Sequence, residues 1–149
     1  MKKYIGTKII EGKPMTRGEY NLYRGWTIPE NENPEDAGYL VKYPDGYESW
    51  SPKEQFEEAY REFTEGMSFG AAVHLLKQGY KVQRKGWNGK GQYIELATNI
   101  SYVNAAKEIV NCKHEAIGNK AIAFVGTSGV QMGWLASQAD MLAEDWVIV

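Results

Sequence analysis

The residues with the clearest binding chemistry lie in one ten-residue stretch in the second half of the chain. Trp87 offers a flat aromatic face, and Asn88 offers an amide that both donates and accepts hydrogen bonds. Arg84 and Lys90 supply cations that pair well with phosphate. Gly89 belongs to a set of glycines whose small size lets backbone N–H groups approach a ligand. Each of these groups suits a nucleotide whose base stacks on the ring.

A second polar group lies near the end of the sequence. Ser137 and Asp140 are three residues apart, which is the spacing of a capping box. The structural interpretation is a short capped helix that packs Met141, Leu142 and Trp146 into the core. The functional interpretation adds the hydroxyl and the carboxylate as ligand contacts.

The stretch around Trp87 also has a purely structural interpretation, in which Trp87 packs on the core of a tight hairpin and the lysines face water. Catalysis has little support, because neither His74 nor His114 has a Ser or Cys partner in a recognisable nucleophile setting. Cys112 and the two histidines do not have the spacing of zinc ligands. No Walker motif and no dinucleotide-binding glycine motif occurs in the sequence. We therefore expect no catalytic residues, no metal and no cofactor.

Composition and charge indicate two modules and limit the partners. The chain has 149 residues, of which 43% are hydrophobic and 24% charged, with a net charge of -2. Residues 1–66 carry 9 Lys or Arg against 13 Asp or Glu and contain all 5 prolines, whereas residues 67–149 carry 8 against 6. Neither module is basic enough to predict binding to DNA or RNA. No apolar run approaches the roughly 18 residues of a membrane span, which predicts a cytoplasmic protein.

Residues 1–66 are predicted to form a small module of strands and short helices. Thr16 and Glu19 have capping-box spacing at the start of one helix. Ser51 and Pro52 are expected to be the N-cap and the first residue of a second helix. Strands are predicted over residues 4–11, 38–43 and 47–50.

Residues 67–149 are predicted to form a second module of the same kind. Ser68 caps a helix that ends at Gly79, and a further helix is expected from Ser101 to Lys113. A helical turn is predicted over residues 137–144, and strands over residues 81–85, 92–96, 121–125, 130–135 and 146–149. The predicted fold class is α+β, with small, mostly antiparallel sheets packed with short helices in two modules.

Three segments of the second module together resemble the Thoeris anti-defence 2 family. They are Met67-Ser68-Phe69-Gly70-Ala71-Ala72, Arg84-Lys85-Gly86-Trp87-Asn88-Gly89-Lys90-Gly91, and the run from Trp134 to Trp146. Their order is the one expected for the family, and the resemblance covers essentially all of residues 67–149. Residues 1–66 resemble an accessory module common in phage and prophage proteins, whose role the resemblance does not imply.

The resemblance implies a phage sponge that acts in the cytoplasm of an infected bacterial host. Such a protein binds, without cleaving, the cyclic ADP-ribose signal of the Thoeris TIR protein, including glycocyclic ADP-ribose isomers, so that the effector is never activated. The resemblance also implies a homotetramer with nucleotide pockets between subunits and, as in some members, separate pockets for the cyclic dinucleotides of CBASS. The implied ligand-binding residues are Phe69, Arg84, Trp87, Asn88, Gly89, Lys90, Trp134, Ser137, Asp140 and Met141.

Two other classes of function stay open on the sequence. A hydrolase of the cyclic nucleotide would give the same anti-defence result, but it requires a general acid and base or a metal site. A structural or protein-interaction role fits the many aromatic residues of the first module, and it predicts no nucleotide binding.

Overall fold

The computed structural model describes residues 1–87, 89–111 and 119–149. Among the residues discussed above, Asn88, Cys112 and His114 lie outside the described residues. The chain separates into two compact units, Met1–Arg61 (unit 1) and Glu62–Val149 (unit 2). Short helices and small antiparallel sheets make up both units, which confirms the predicted α+β class. No helix in the described ranges is long and apolar enough to cross a membrane.

Unit 1 is built on a three-stranded antiparallel sheet in the order β1-β2-β3. The second helix packs on β2 and β3, and Val41 and Tyr20 are buried in the core of the unit. Its elements are β1 (Glu11–Pro14), α1 (Arg17–Arg24), β2 (Gly38–Lys42), β3 (Glu48–Pro52) and α2 (Lys53–Ala59).

The hairpin of β2 and β3 and the cap of α1 confirm two predictions for unit 1. The Thr16 hydroxyl accepts from the backbone N–H of Glu19 at 3.2 Å, and the Glu19 carboxylate accepts from the N–H of Thr16 at 2.8 Å. Both halves of the capping box are therefore present.

Two other predictions for unit 1 are wrong. Residues 4–10 form no strand, because pairing with β2 begins at Glu11, opposite Lys42, and runs to Pro14. Ser51 is not the N-cap of α2, because it is still paired in β3 opposite Tyr39. Pro52 occupies the N-cap position and offers no side-chain hydrogen bond.

Unit 2 is built on a five-stranded antiparallel sheet. Its strands are β4 (Val82–Arg84), β5 (Tyr93–Ala97), β8 (Ala121–Gly126), β9 (Gly129–Met132) and β10 (Trp146–Ile148), and they lie in the order β10-β4-β5-β8-β9. A helix, α3 (Phe69–Lys77), packs against β4, β5 and β10 and also contacts α4 (Gln138–Leu142). Its buried face carries Ala72, Leu75 and Leu76, and the sheet contributes Val82 and Ile94 to the same core. The other elements are β6 (Ser101–Val103) and β7 (Ile109–Asn111).

The start and the end of α3 follow the sequence prediction. The Ser68 hydroxyl accepts from the backbone N–H of Ala71 at 3.2 Å, which satisfies one of the unpaired donors of the first turn. Two residues after the helix, Gly79 has φ 93°, a conformation that glycine adopts without strain.

The helix predicted from Ser101 to Lys113 is wrong over residues 101–111, because β6 and β7 form a two-stranded hairpin there. The last two residues of that predicted helix lie outside the described part of the chain. The turn of the hairpin is closed by the Asn104 side chain, whose oxygen accepts from the N–H of Glu108 at 2.9 Å. Lys107 has φ 70°, a left-handed conformation that ends any helical path. The local hydrogen bonds of asparagine therefore outweigh the weak helical spacing of the apolar residues.

Candidate ligand-binding site

The candidate site of unit 2 is centred on the guanidinium group of Arg84. The pairing of β4 with β10 sets Arg84 opposite Trp146 and so brings the end of the chain beside it. Nε of Arg84 donates to Oδ1 of Asp145 at 2.9 Å, and Nη1 donates to Oδ1 of Asp140 at 2.9 Å. Two carboxylates from the C-terminal segment thus fix the orientation of this cation.

Asp140 connects the arginine to the helix and to the aromatic ring. Its Oδ2 accepts from the backbone N–H of Ser137 at 3.0 Å, and its own N–H donates to the Ser137 hydroxyl at 3.0 Å. This reciprocal pair caps α4 as a capping box does. Oδ1 of Asp140 also lies 3.5 Å from Nε1 of Trp87. The carboxylate therefore holds Arg84, Trp87 and the start of α4 together.

Both carboxylates of the site remain ionised at neutral pH. Burial raises the pKa of Asp140, but hydrogen bonds from Ser137, Arg84 and Trp87 outweigh burial and hold the pKa below its ordinary value. Burial acts in the same way on Asp145, whose pKa is nevertheless lowered by hydrogen bonds from Arg84 and the N–H of Gly86. The two carboxylates also raise the pKa of Arg84, which stays charged.

Five aromatic rings form a continuous cluster beside the arginine. The fully buried Trp146 ring lies 5.4 Å from Trp87, 6.2 Å from Trp134 and 5.5 Å from Phe69 between ring centroids. Trp87 also lies 5.7 Å from Phe124 and 6.1 Å from Trp134, with steeply inclined planes. Such edge-to-face contacts fix each ring in place. Trp87 and Trp134 stay partly exposed, so the cluster has a face toward solvent.

Six of the ten residues predicted for ligand binding are connected by these contacts. They are Phe69, Arg84, Trp87, Trp134, Ser137 and Asp140. Gly89 and Lys90 lie in the turn between β4 and β5, where Lys90 is exposed. Met141 is 40% exposed on α4.

The predicted packing of the C-terminal helix is partly wrong. Trp146 is fully buried, as expected, and its Nε1 donates to the backbone oxygen of Asp140 at 2.9 Å. Leu142, however, is 78% exposed, and Met141 is also exposed, so neither belongs to the core of unit 2. The helix has only five residues, Gln138–Leu142, and none of them is buried. The core residue that the C-terminal segment supplies is instead Trp146, in the strand after the helix.

Three residues that complete the site were not among the sequence candidates. Asp145 holds Nε of Arg84, Trp146 lies at the centre of the ring cluster, and Phe124 supports Trp87. One feature of the sequence could have indicated Asp145, namely its position directly before Trp146. Because Trp146 pairs with Arg84 across two strands, the preceding carboxylate comes within reach of the guanidinium group. Among the described residues, no three His, Cys, Asp or Glu side chains group as metal ligands.

The fold and the site define a small α+β domain in which a clamped arginine lies beside a partly exposed aromatic cluster. A family model described as Tad2-like, the Thoeris anti-defense 2-like domain, matches residues 67–149. A protein of Bacillus phage SP01 named Thoeris anti-defense 2 is 40% identical over 88 residues, which cover 56% of this chain and 94% of that protein. The chain therefore belongs to the Thoeris anti-defense 2-like family, as the sequence resemblance predicted.

Proposed function

We propose that this protein is a phage sponge that binds and sequesters the cyclic ADP-ribose signal of the Thoeris TIR system without cleaving it. Family membership gives it a role against Thoeris defence. The proposed step beyond that role is sequestration of an intact nucleotide, with glycocyclic ADP-ribose isomers as the ligands. Cyclic dinucleotides of CBASS are proposed to bind at separate pockets.

One observation supports this proposal above the others, the partly exposed ring of Trp87 beside the fixed guanidinium of Arg84. An aromatic face suits the adenine base, and the guanidinium N–H groups that Asp140 and Asp145 do not use can donate to diphosphate oxygens. Asp140 contacts both side chains, so neither has to be ordered when the ligand arrives. A site that is ordered in advance loses less entropy on binding.

The affinity of a sponge requires more than one stacked base. A dissociation constant of about 1 nM corresponds to about -12 kcal/mol. Stacking supplies roughly 1 to 3 kcal/mol per base. We therefore assign further contacts to the phosphate and ribose groups, from Asn88 and from Gly89 and Lys90 in the turn. Asp140 acts in this scheme chiefly by positioning Arg84.

The other residues of the proposed site are assigned to the surroundings of the stacked base. Phe69 and Trp134 extend the aromatic surface around the stacked base. Ser137 offers its hydroxyl at the start of α4, and Met141 offers an exposed apolar side chain one turn further.

We propose that the nucleotide pocket is closed by further copies of the chain in a homotetramer. Large exposed apolar side chains support this proposal, because contact with another copy of the chain would remove them from water. Val130 and Met132 on β9 are 63% and 50% exposed, and Leu135, directly after Trp134, is 88% exposed. Leu142 on α4 is exposed as well.

Calorimetric titration with purified cyclic ADP-ribose isomers tests the binding site. Trp87→Ala is expected to weaken binding at least tenfold, and Trp87→Phe, which keeps a ring in the cluster, is expected to weaken it less. Tyr102→Ala is the matched control, because this ring is 53% exposed on the separate β6–β7 hairpin. Equal affinity of the Trp87→Ala variant and the wild type would remove Trp87 from the site.

A further inference from the structure

Unit 1 contains an open cleft whose lining residues all belong to that unit. Its volume is about 510 Å³, which is within the size range of small-molecule sites. The cleft lies between α1, the segment that follows it and the end of β3, and the family match at residues 67–149 does not include it. Aromatic rings and proline rings line it, together with the polar side chains of Arg17, Asn21, Thr27 and Glu32.

Three of these polar side chains form a connected network in the cleft. The Glu32 carboxylate accepts from Arg17 through Oε1 and from the Asn21 amide through Oε2, at 3.1 Å for the latter. Asn21 is only 6% exposed, so its amide is fixed in position. The hydrogen bond from Arg17 lowers the pKa of Glu32, although burial opposes it, so the carboxylate stays ionised at neutral pH.

Three aromatic rings provide the apolar surface of the cleft. Trp26 lies edge-on to Tyr20, with ring centroids 5.9 Å apart, and is 53% exposed. The Arg17 guanidinium lies 5.2 Å from the centroid of the Trp50 ring. Trp50 is itself fixed, because its Nε1 donates to the backbone oxygen of Met15 at 2.8 Å. A large exposed indole beside a fixed polar network is typical of a surface that a planar ligand covers.

The charges and donors of the network define what such a ligand must offer. Arg17 and Glu32 neutralise each other, which favours an uncharged ring system between them. The Arg24 guanidinium beside Trp26 leaves a positive charge at the aromatic side of the cleft. An ionised carboxylate only accepts hydrogen bonds and has about four lone-pair positions, of which the protein uses two. A guanidinium group only donates. The matching ligand edge therefore carries two adjacent N–H donors beside a carbonyl acceptor, which is the Watson–Crick edge of guanine.

We propose that the cleft of unit 1 binds a guanine base, as part of a guanine nucleoside or nucleotide. The Arg24 guanidinium lies 5.1 Å from the centroid of the Trp26 ring, so the base stacks on the other face of this indole. The N1–H and N2 amino group of the base donate to Glu32, and its O6 accepts from Arg17. Adenine offers one donor and one acceptor on this edge, and it therefore makes fewer of these hydrogen bonds. The proposal does not depend on the function proposed for unit 2.

Titration of the full-length protein with guanosine 5′-monophosphate, inosine 5′-monophosphate and adenosine 5′-monophosphate tests the edge recognition. The three ligands share the phosphate and the ribose, and inosine lacks only the amino group of guanine. Guanosine monophosphate is expected to bind about tenfold more tightly than the inosine and adenosine ligands, since one missing hydrogen bond to a charged group has an effect of that order. Equal binding of all three ligands, or binding of none at millimolar concentration, would overturn the proposal.

Protein variants test the location of the binding. Trp26→Ala is expected to weaken binding of guanosine monophosphate by tenfold or more, because it removes the stacking surface. Tyr47→Ala is the control, since its ring is 62% exposed on the β2–β3 turn outside the cleft, and it is expected to bind as the wild type does. Trp87→Ala, whose position lies in unit 2, is also expected to leave this affinity unchanged. A loss of guanosine monophosphate binding in Trp87→Ala but not in Trp26→Ala would refute the proposal and leave the function proposed for unit 2 standing.

Discussion

Asp140 is expected to be the residue on which the geometry of the candidate ligand-binding site most depends. Its carboxylate accepts from Arg84 Nη1 at 2.9 Å and from the N–H of Ser137 at 3.0 Å, and it lies 3.5 Å from Trp87 Nε1. Asp140→Ala removes all three contacts in one step. The substitution leaves Arg84 with Asp145 as its remaining carboxylate.

The expected loss of stability can be assembled from these contacts. Loss of the Asp140 half of the capping box, its hydrogen bond from the N–H of Ser137, costs about 1 kcal/mol. Loss of a hydrogen bond to a charged group costs about 1.5 to 3 kcal/mol, and the side chains of Arg84 and Asp140 are only 21% and 14% exposed. We therefore expect Asp140→Ala to lower the free energy of unfolding of unit 2 by about 3 kcal/mol. Ser137→Ala, which removes only its half of the cap, is expected to cost about 1 kcal/mol.

Urea denaturation followed by the indole N–H resonances of the tryptophans measures both variants. Each ring gives its own signal, so Trp87, Trp134 and Trp146 of unit 2 are separated from the two tryptophans of unit 1. If Asp140→Ala costs no more than Ser137→Ala, the carboxylate serves only as a helix cap. The inference that it positions Arg84 and Trp87 would then be refuted.

Three further predictions concern acid stability, the backbone and assembly. Because the folded pKa values of Asp140 and Asp145 are lowered, their contribution to the free energy of unfolding is complete above the unfolded value of about 3.9 and is lost as the pH falls through the folded values. The variant with both residues changed to Asn should therefore lose stability less steeply between about pH 5 and pH 2 in urea titrations. An equal slope for the variant and the wild type would contradict this. Gly66→Ala is expected to cost about 2 to 4 kcal/mol in the same assay, since φ is 138° and a Cβ would lie 2.8 Å from a carbonyl oxygen, whereas Gly79→Ala, with open space around it, should cost about 1 kcal/mol. Leu142→Glu is expected to reduce the mass measured by light scattering below that of a tetramer, and an unchanged mass would exclude this side chain from the interface.

The local elements were predictable where a short pattern determines the geometry. Thr16, Ser68 and Ser137 cap helices with the partners expected from their spacing, because a capping hydrogen bond involves residues only three positions apart. Strand existence depends instead on a partner. Residues 4–11 have strand-like composition, but the segment pairs with β2 only from Glu11 onward. Composition alone was therefore not enough to predict where this strand begins.

The candidate site was predictable in its residues but not in its connections. Arg84 and Trp87 were identified by residue type and Asp140 by its capping position. Arg84 is 56 residues from Asp140 and 61 from Asp145 in the sequence, however, and only the pairing of β4 with β10 brings them together. A local pattern contains no information on a contact between residues so far apart in the sequence. For this reason Asp145 and the central ring of Trp146 were not predicted as site residues.

The most direct test of sequestration is the recovery of the bound nucleotide. The purified protein is incubated with TIR-generated cyclic ADP-ribose, free ligand is removed, and the complex is denatured by heat. The supernatant is then analysed by chromatography and mass spectrometry. We predict recovery of the intact cyclic nucleotide in a fixed ratio to protein. Recovery of a cleaved product would identify an enzyme instead of a sponge, and the absence of any retained nucleotide would contradict the proposed function.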